Sequence, residues 1–382
     1  MPINKLLLCS AAALVAATGA RAADAVVAAE PEPAEYVRIC DVYGTGYFYI
    51  PGTETCLRIG GSVRYTIAAG NVGTFDAVNH VPDQMGDGTH GTWKKEARFE
   101  IDTDTAQETE LGALKTFTMT RFYFGNSGGD YSDQKPANSG RNNWQARDKD
   151  ITLNAAWIQL GGLRVGKDDS AFDSFVGYAG DVIQDTLIPW GGYDTNLVQY
   201  NFDAGNGLAA VISLEEGSDD GSGDNTIDSY VPNVVGGVKY TQAWGGIAAV
   251  GAYDSNFEEW TGKVRLDVNA TQSLSLFIMA GYGTDEHTAT GRNFFKEWGG
   301  NWAVWGGGTY KINEKASFNT QLSYDAEQNF GAAANIRYML VPGLKVTAEI
   351  DYFNRGAKDT YNWTGAAKKS AVGGVLRFQR SF

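Results

Sequence analysis

Residues 57–67 read LRIGGSVRYTI, which puts Leu57, Ile59, Gly61, Val63, Tyr65 and Ile67 on one side of an extended chain and Arg58, Gly60, Ser62, Arg64 and Thr66 on the other. Successive side chains of a strand point to opposite faces, so this period of two predicts a strand with one apolar and one polar, basic face. About eleven residues is the length of a tilted strand that crosses a bilayer. The next such run is sharper still. Trp93, Ala97, Phe99 and Ile101 oppose Lys94, Glu96, Arg98, Glu100 and Asp102.

The pattern returns at 114–124, 151–160, 163–165, 197–203, 208–215, 233–243, 247–254, 260–270, 274–282, 301–311, 316–325, 330–340, 344–353 and 370–382, making sixteen runs in all. Residues 151–160 are the least clear, because both parities are partly apolar. A soluble sandwich would turn its polar faces outward and share its apolar faces between two sheets. Charge within the alternation and aromatic residues near the run ends instead place lipid outside and water inside. Connections alternate too. Short turn signals such as Gly161-Gly162, Trp244-Gly245-Gly246 and Val341-Pro342-Gly343 separate pairs of runs, and long polar segments (68–92, 125–150, 167–196, 216–232, 283–300, 354–369) join them. Short turns on one rim and long loops on the other are the habit of outer-membrane barrels. The fold expected is therefore all-β, a transmembrane antiparallel up-and-down β-barrel of about 16 strands, with both termini on the short-turn side.

The third long segment, Lys167–Asn196, is unlike the others. Phe172, Phe175, Val176, Tyr178, Val182, Ile183, Leu187, Ile188, Trp190 and Tyr193 are too much apolar surface for a solvated loop. Interleaved Asp168, Asp169, Asp173, Asp181 and Asp185 need water or partners. A segment that needs both a wall and water belongs inside a wide, wet cavity, so the third long loop is expected in the lumen. Phe172, Phe175 and Val176 at i, i+3, i+4 predict a short helix starting near Asp169.

Lys5, the apolar run 6–17 and Ala20-Arg21-Ala22 read as a secretory signal peptide over 1–22. Cys9 stands too early in that run, after Leu8, for a lipoprotein anchor. Residues 23–56 read as a periplasmic leader and 57–382 as the pore domain. Losing Lys5 and Arg21 takes the formal charge from −14 to −16, which disfavours a nucleic-acid partner. Cys40 and Cys56 remain, an even number in an exported chain, and a disulfide is the expected state; two buried free thiols are the alternative. No metal or other cofactor is expected, since neither cysteine has a partner at ligand spacing. His80, His90 and His287 fall in loop-like segments, Glu349 and Asp351 have no nucleophile or histidine beside them, and residues 219–228 lack the ordered ligands of a calcium loop. An enzyme is not expected.

The stretch Glu35–Tyr65, EYVRICDVYGTGYFYIPGTETCLRIGGSVRY, with its cysteine pair, and the terminal LRFQRSF ending on Phe382 resemble the alphaproteobacterial general porin family. Arg380 departs from the hydrophobic residue usual at that place. The resemblance implies a homotrimer in the bacterial outer membrane that passes small hydrophilic solutes and ions through a third-loop constriction. A sugar-specific channel stays open as an alternative, given the aromatic residues of 167–196.

Parity assigns inward-facing bases Arg58, Arg64, Lys94, Arg98, Lys115, Arg121, Arg164, Lys239, Lys263, Arg265, Arg337, Lys345 and Arg377, against fewer inward acids, Glu96, Glu100, Asp102, Asp267, Asp325, Glu349 and Asp351. The wall leans positive while the protein is strongly negative, so the surplus acid sits in loops, including the one expected in the pore. Opposed charges across a narrow wet aperture make a transverse field. On these grounds an unboiled sample should run as an oligomeric band that collapses on boiling; a soluble periplasmic monomer would contradict the whole reading.

Overall fold

A computed structural model describes residues 38–72, 77–126, 129–130, 144–218, 226–284, 293–358 and 369–382. The expected signal peptide, residues 23–37 of the expected leader, Asp219, Asp220 and His287 lie outside them. Ile39–Phe382 forms one compact unit. Its sixteen long strands are β1 Cys56–Gly70, β2 Lys94–Gln107, β3 Leu114–Gly125, β4 Thr152–Leu160, β5 Leu163–Asp169, β6 Asp194–Asp203, β7 Leu208–Glu215 and β8 Asn233–Gln242. The second half follows as β9 Gly245–Asp254, β10 Glu259–Asn269, β11 Leu274–Gly283, β12 Trp302–Lys311, β13 Ala316–Asp325, β14 Phe330–Val341, β15 Leu344–Asn354 and β16 Ser370–Ser381. Each pairs antiparallel with the next. The sheet closes where β1 meets β16, from Ser62↔Ser381 to Gly70↔Gly373, and Gly61 and Phe382 exchange backbone hydrogen bonds at 3.1 Å.

The faces sort as the alternation requires. Ile59, Val264, Ile278, Leu322 and Ile350 are exposed on the outside, while Ser62, Thr66, Lys94, Glu96, Arg98 and Glu100 are buried within. Aromatic residues gather at both ends of the outer band. Trp260 stacks near Tyr253 and Trp302 near Tyr324 at the long-loop end. At the other end Tyr310 faces Phe318 across β12 and β13.

Two expectations about the connections need correction. Residues 167–169 and 194–196 are strand, not loop, because the ladder continues through Lys167↔Asn196 to Asp169↔Asp194. Both faces are polar there, so the alternation fades before the hydrogen bonding does. The true excursion, loop 3, is residues 170–193. Nor are all outer connections long. Residues 255–258 and 326–329 are tight turns, with Glu258 and Gln328 taking the left-handed conformation at φ 56° and 70°.

The amino-terminal segment is tied to the barrel rather than hanging free. Cys40 and Cys56 form a disulfide with Cα atoms 6.0 Å apart, Phe48–Tyr49 pairs with the start of β1, and Tyr47, both cysteines and Ala106 make a small buried cluster. The ring of Tyr47 lies under the Arg58 guanidinium at 4.9 Å. Closing a loop of this length removes roughly 3 kcal/mol of unfolded-state freedom in the chain-entropy model. Replacing Cys40 by Ala should therefore lower the yield of heat-modifiable barrel, read on unboiled gels, while leaving the conductance of channels that do assemble unchanged; unaltered yield would show that the clip is dispensable.

Candidate functional site

A barrel wall has no core of its own; here the lumen supplies one. Loop 3 enters through a single-turn helix, α1 Ala171–Ser174, capped by Ser170, whose hydroxyl oxygen accepts the Phe172 N–H. Glu215 at the outer end of β7 accepts from the Ser170 hydroxyl at 2.6 Å and from the Ala171 N–H at 2.9 Å. Phe172, Val176, Ala179, Leu187, Ile188 and Trp190 are then buried against Val235, Val250, Met279 and Trp305 of the inner wall. The Asp173 carboxylate meets the Lys263 ammonium of β10 in a fully buried pair. Lys263 also donates to the Trp190 carbonyl at 2.7 Å and lies 4.1 Å over the Phe172 ring. Trp190 reaches this position because Gly191 and Gly192 follow it. A Cβ on Gly191 would fall 2.2 Å from the Asp173 carboxylate, and one on Gly192 would fall 2.3 Å from the Phe294 ring.

From there the loop runs along the wall toward β15. The Arg265 guanidinium donates to the Gly177 carbonyl at 3.4 Å. Asn335 and Arg337 each donate to the Asp181 carbonyl at 3.0 Å. Glu349 accepts from the Ile183 and Gln184 amides at 2.5 and 2.7 Å. Gln321 holds the Asp185 carbonyl at 2.6 Å, and the Trp305 indole N–H holds that of Ile188 at 2.9 Å. These are backbone groups of a loop with no ladder of its own, and the wall satisfies them one by one.

These anchors lie on β7 to β15; the rest of the wall is β16 and β1–β6. Its bases are clustered. Arg64 and Arg98 are direct cross-strand neighbours, Arg98 and Arg121 both pair with Glu100 at 3.1 and 2.6 Å, and Arg58 pairs with Asp104 at 3.0 Å. Arg377 donates to Thr66 at 3.3 Å. Arg164 binds Asp168 at 2.6 Å and stacks 4.0 Å from Trp157. Lys115 sits near the short-turn mouth opposite Ala106.

The five aspartates expected in the loop are thus in different places, two of them at the end of β5. Asp168 is held by Arg164, Asp169 accepts from the Tyr178 hydroxyl, and Asp173 is under the loop with Lys263. Asp181, 3.5 Å from Arg337, is exposed. Asp185 is near enough to Arg377 for their charges to interact, and burial together with nearby Glu349 pushes its carboxyl up to about 7. Among the inward acids, Glu349 is committed to the loop amides, Asp351 accepts from Gln184 at 3.1 Å, Asp267 pairs with Arg265 at 2.8 Å, and Asp325 accepts from Gly299 and Asn329 near the outer rim.

Parity did not single out Glu215, Gln321, Asn335 or Trp305, although each occupies an inward position at the right height. More was missed in the sixth outer connection, 284–301. Read as a polar loop, it carries Phe294, Phe295, Lys296 and Trp298 buried against loop 3 and β12, with Phe295 at 5.4 Å from Phe172. The run NFFKEW was the available signal. Among the described residues, no group of three or more metal-ligating side chains occurs.

A closed sixteen-stranded barrel with an apolar outer band, a charged lumen and a loop fastened inside it defines an outer-membrane channel of the porin class. The sequence profile of the porin subfamily matches residues 24–375, and the chain belongs to that family; it is a channel, not an enzyme. It is 48% identical to porin Omp2b of Brucella suis and to porin Omp2a of Brucella melitensis over the full length of both partners. Among solved structures it resembles a mutant of Rh. blastica porin, with TM-score 0.52 and 14% identity over 85% of this chain and all of that one. It also resembles the anion-selective porin from Comamonas acidovorans, with TM-score 0.51 and 13% identity over 86% and 100%.

Removing one partner of a buried ion pair strands the other and costs roughly 3–5 kcal/mol. Asp173→Asn should release loop 3 while the barrel stays heat-modifiable, seen as faster amide exchange over residues 171–190. Asp173→Leu with Lys263→Met should recover most of the protection. Exchange unaltered in the single variant would show that the pair does not hold the loop.

Proposed function

We propose that this porin is a general diffusion pore, a homotrimer in the outer membrane, whose aperture lies between the Asp181–Asp185 edge of loop 3 and the arginines of β16 and β1–β3. The observation that carries this is the one-sided fastening of loop 3, with its anchors on β7–β15 and the clustered guanidinium groups on the remaining arc. Small hydrophilic solutes and ions pass through a field set by opposed charge, ordered across the aperture rather than along it. The aromatic residues that would form a sugar track are mostly spent on the wall: Phe172 and Trp190 are fully buried, and only Tyr178 shows substantial exposure.

The outer face of the same arc supports association. Thr103 and Thr105 of β2 pair with Thr118 and Thr116 of β3 through their hydroxyls, on the side that elsewhere is apolar. A polar strip at that depth fits a neighbouring protomer better than acyl chains.

Asp181→Asn with Asp185→Asn should shift the bilayer reversal potential toward anions, whereas Asp219→Asn with Asp220→Asn should not, because charge away from the aperture is screened within about 8 Å at physiological salt. With its pKa raised to about 7, Asp185 is charged above that value and neutral below it. Lowering pH from 8 to 6 should thus move the unmodified channel the same way, and Asp185→Asn should blunt the change. Equal, small effects from both pairs of substitutions would place the loop edge away from the ion path.

A further inference from the structure

On the short-turn rim, beneath the stretch of wall that loop 3 grips, four cations share a concavity of about 450 Å³. Lys311 ends β12, Lys315 lies in the turn to β13, Arg337 points inward from β14 and Lys345 from β15. Ser317 stands between Lys311 and Arg337 across the three strands, and Met339 is the cross-strand neighbour of Lys345. The turn is stiff. Its Asn313 carboxamide oxygen accepts the Lys315 and Ala316 amides at 2.8 and 2.9 Å, and the Lys315 carbonyl accepts from Met339 at 2.8 Å. One acid, Glu314, lines the same hollow. Arg337 is shared with the Asp181 carboxylate at 3.5 Å, while Lys311, Lys315 and Lys345 have no ion-pair partner among the described residues.

These lysines do not belong to the arginine arc, which is on β16 and β1–β3. We propose that the hollow is an anion-binding station at the periplasmic mouth for a multivalent oxyanion of the pyrophosphate type, which includes phosphorylated small solutes. The volume suits a small ligand rather than a bare ion. Ammonium groups bind phosphate as point charges, and a single charge pair in water is too weak to retain a monovalent anion. Only a ligand that engages several lysines at once is held. Because Arg337 bridges the hollow and Asp181, an occupant would compete for Arg337 and draw it from the loop edge, so binding is felt at the aperture.

The inference rests on the chain acting as a channel, and its test separates the two. In bilayers with the purified oligomer inserted in one orientation, sodium pyrophosphate on the periplasmic side should reduce potassium chloride current at several-fold lower concentration than on the outer side. The triple variant K311Q, K315Q, K345Q should raise the half-blocking concentration about tenfold, and Lys315→Gln alone, in the turn and outside the ladder, about two- to threefold. Block that is unchanged in both variants, equal from both sides, or reproduced by chloride at matched ionic strength would overturn the site while leaving the porin reading intact. Calorimetric titration of the detergent-solubilised oligomer with pyrophosphate reads the site without conduction. Absence of binding there overturns it, and binding without ion current would count against the channel alone.

Discussion

A backbone amide facing hydrocarbon has no water to turn to, so a strand in a membrane must be paired on both edges. That constraint sets almost everything else in this molecule. It forces β1 and β16, the two ends of the sheet, to meet, and it brings the terminal Phe382 into register with Gly61. Once the ladder is closed, the side chains have only two destinations, and the period of two becomes a division between lipid and lumen. The apolar face is used up on the outside. The inner face keeps only a patch of apolar side chains, Val235, Val250, Met279 and Trp305 among them, and the interior is completed by loops that pack on it.

Loop 3 and part of the sixth outer connection do this in a way that engages several lumenal carboxylates. Glu215, Glu349 and Asp325 accept backbone amides of loops, while Asp173 neutralises a buried lysine. Each is a charge inside the barrel, yet each is structural. In the proposed aperture those left to act on passing ions would be Asp181 and Asp185, opposite the guanidinium groups of β16 and β1–β3. The strongly acidic composition therefore says little about ion preference, because many of the described lumenal carboxylates are already engaged.

The barrel was legible in the sequence because its code is local and repeated. Leu57–Ile67 alone shows two faces, and the later runs repeat them with 151–160 the weakest case. Loop 3 was legible as a lumenal segment because Phe172, Trp190 and the aspartates contradict each other anywhere else. The ends of that loop were not legible, since Lys167–Asp169 is polar on both faces yet still paired. Neither were the partners of its carboxylates. Parity places Lys263 and Glu349 on the lumen side, but which loop group meets them depends on the path of residues 170–193, and irregular backbone has no period to read. Residues 294–298 were overlooked for the opposite reason, a short apolar cluster inside a segment whose average is polar.

The pairing of the first strand with the last also governs how the molecule comes into being. Contacts between chain ends are the slowest to form, because the loop they close is the whole protein. Until the carboxy terminus arrives, every partial sheet has two naked edges, and the chain must cross an aqueous compartment without having folded. Alternation makes that journey survivable. In strands such as β1, β2 and β10 the residues that will face lipid are separated by charged or hydroxyl neighbours, and the chain carries a formal net charge of −14. The pattern that later divides oil from water is, in the unfolded chain, what keeps it dispersed.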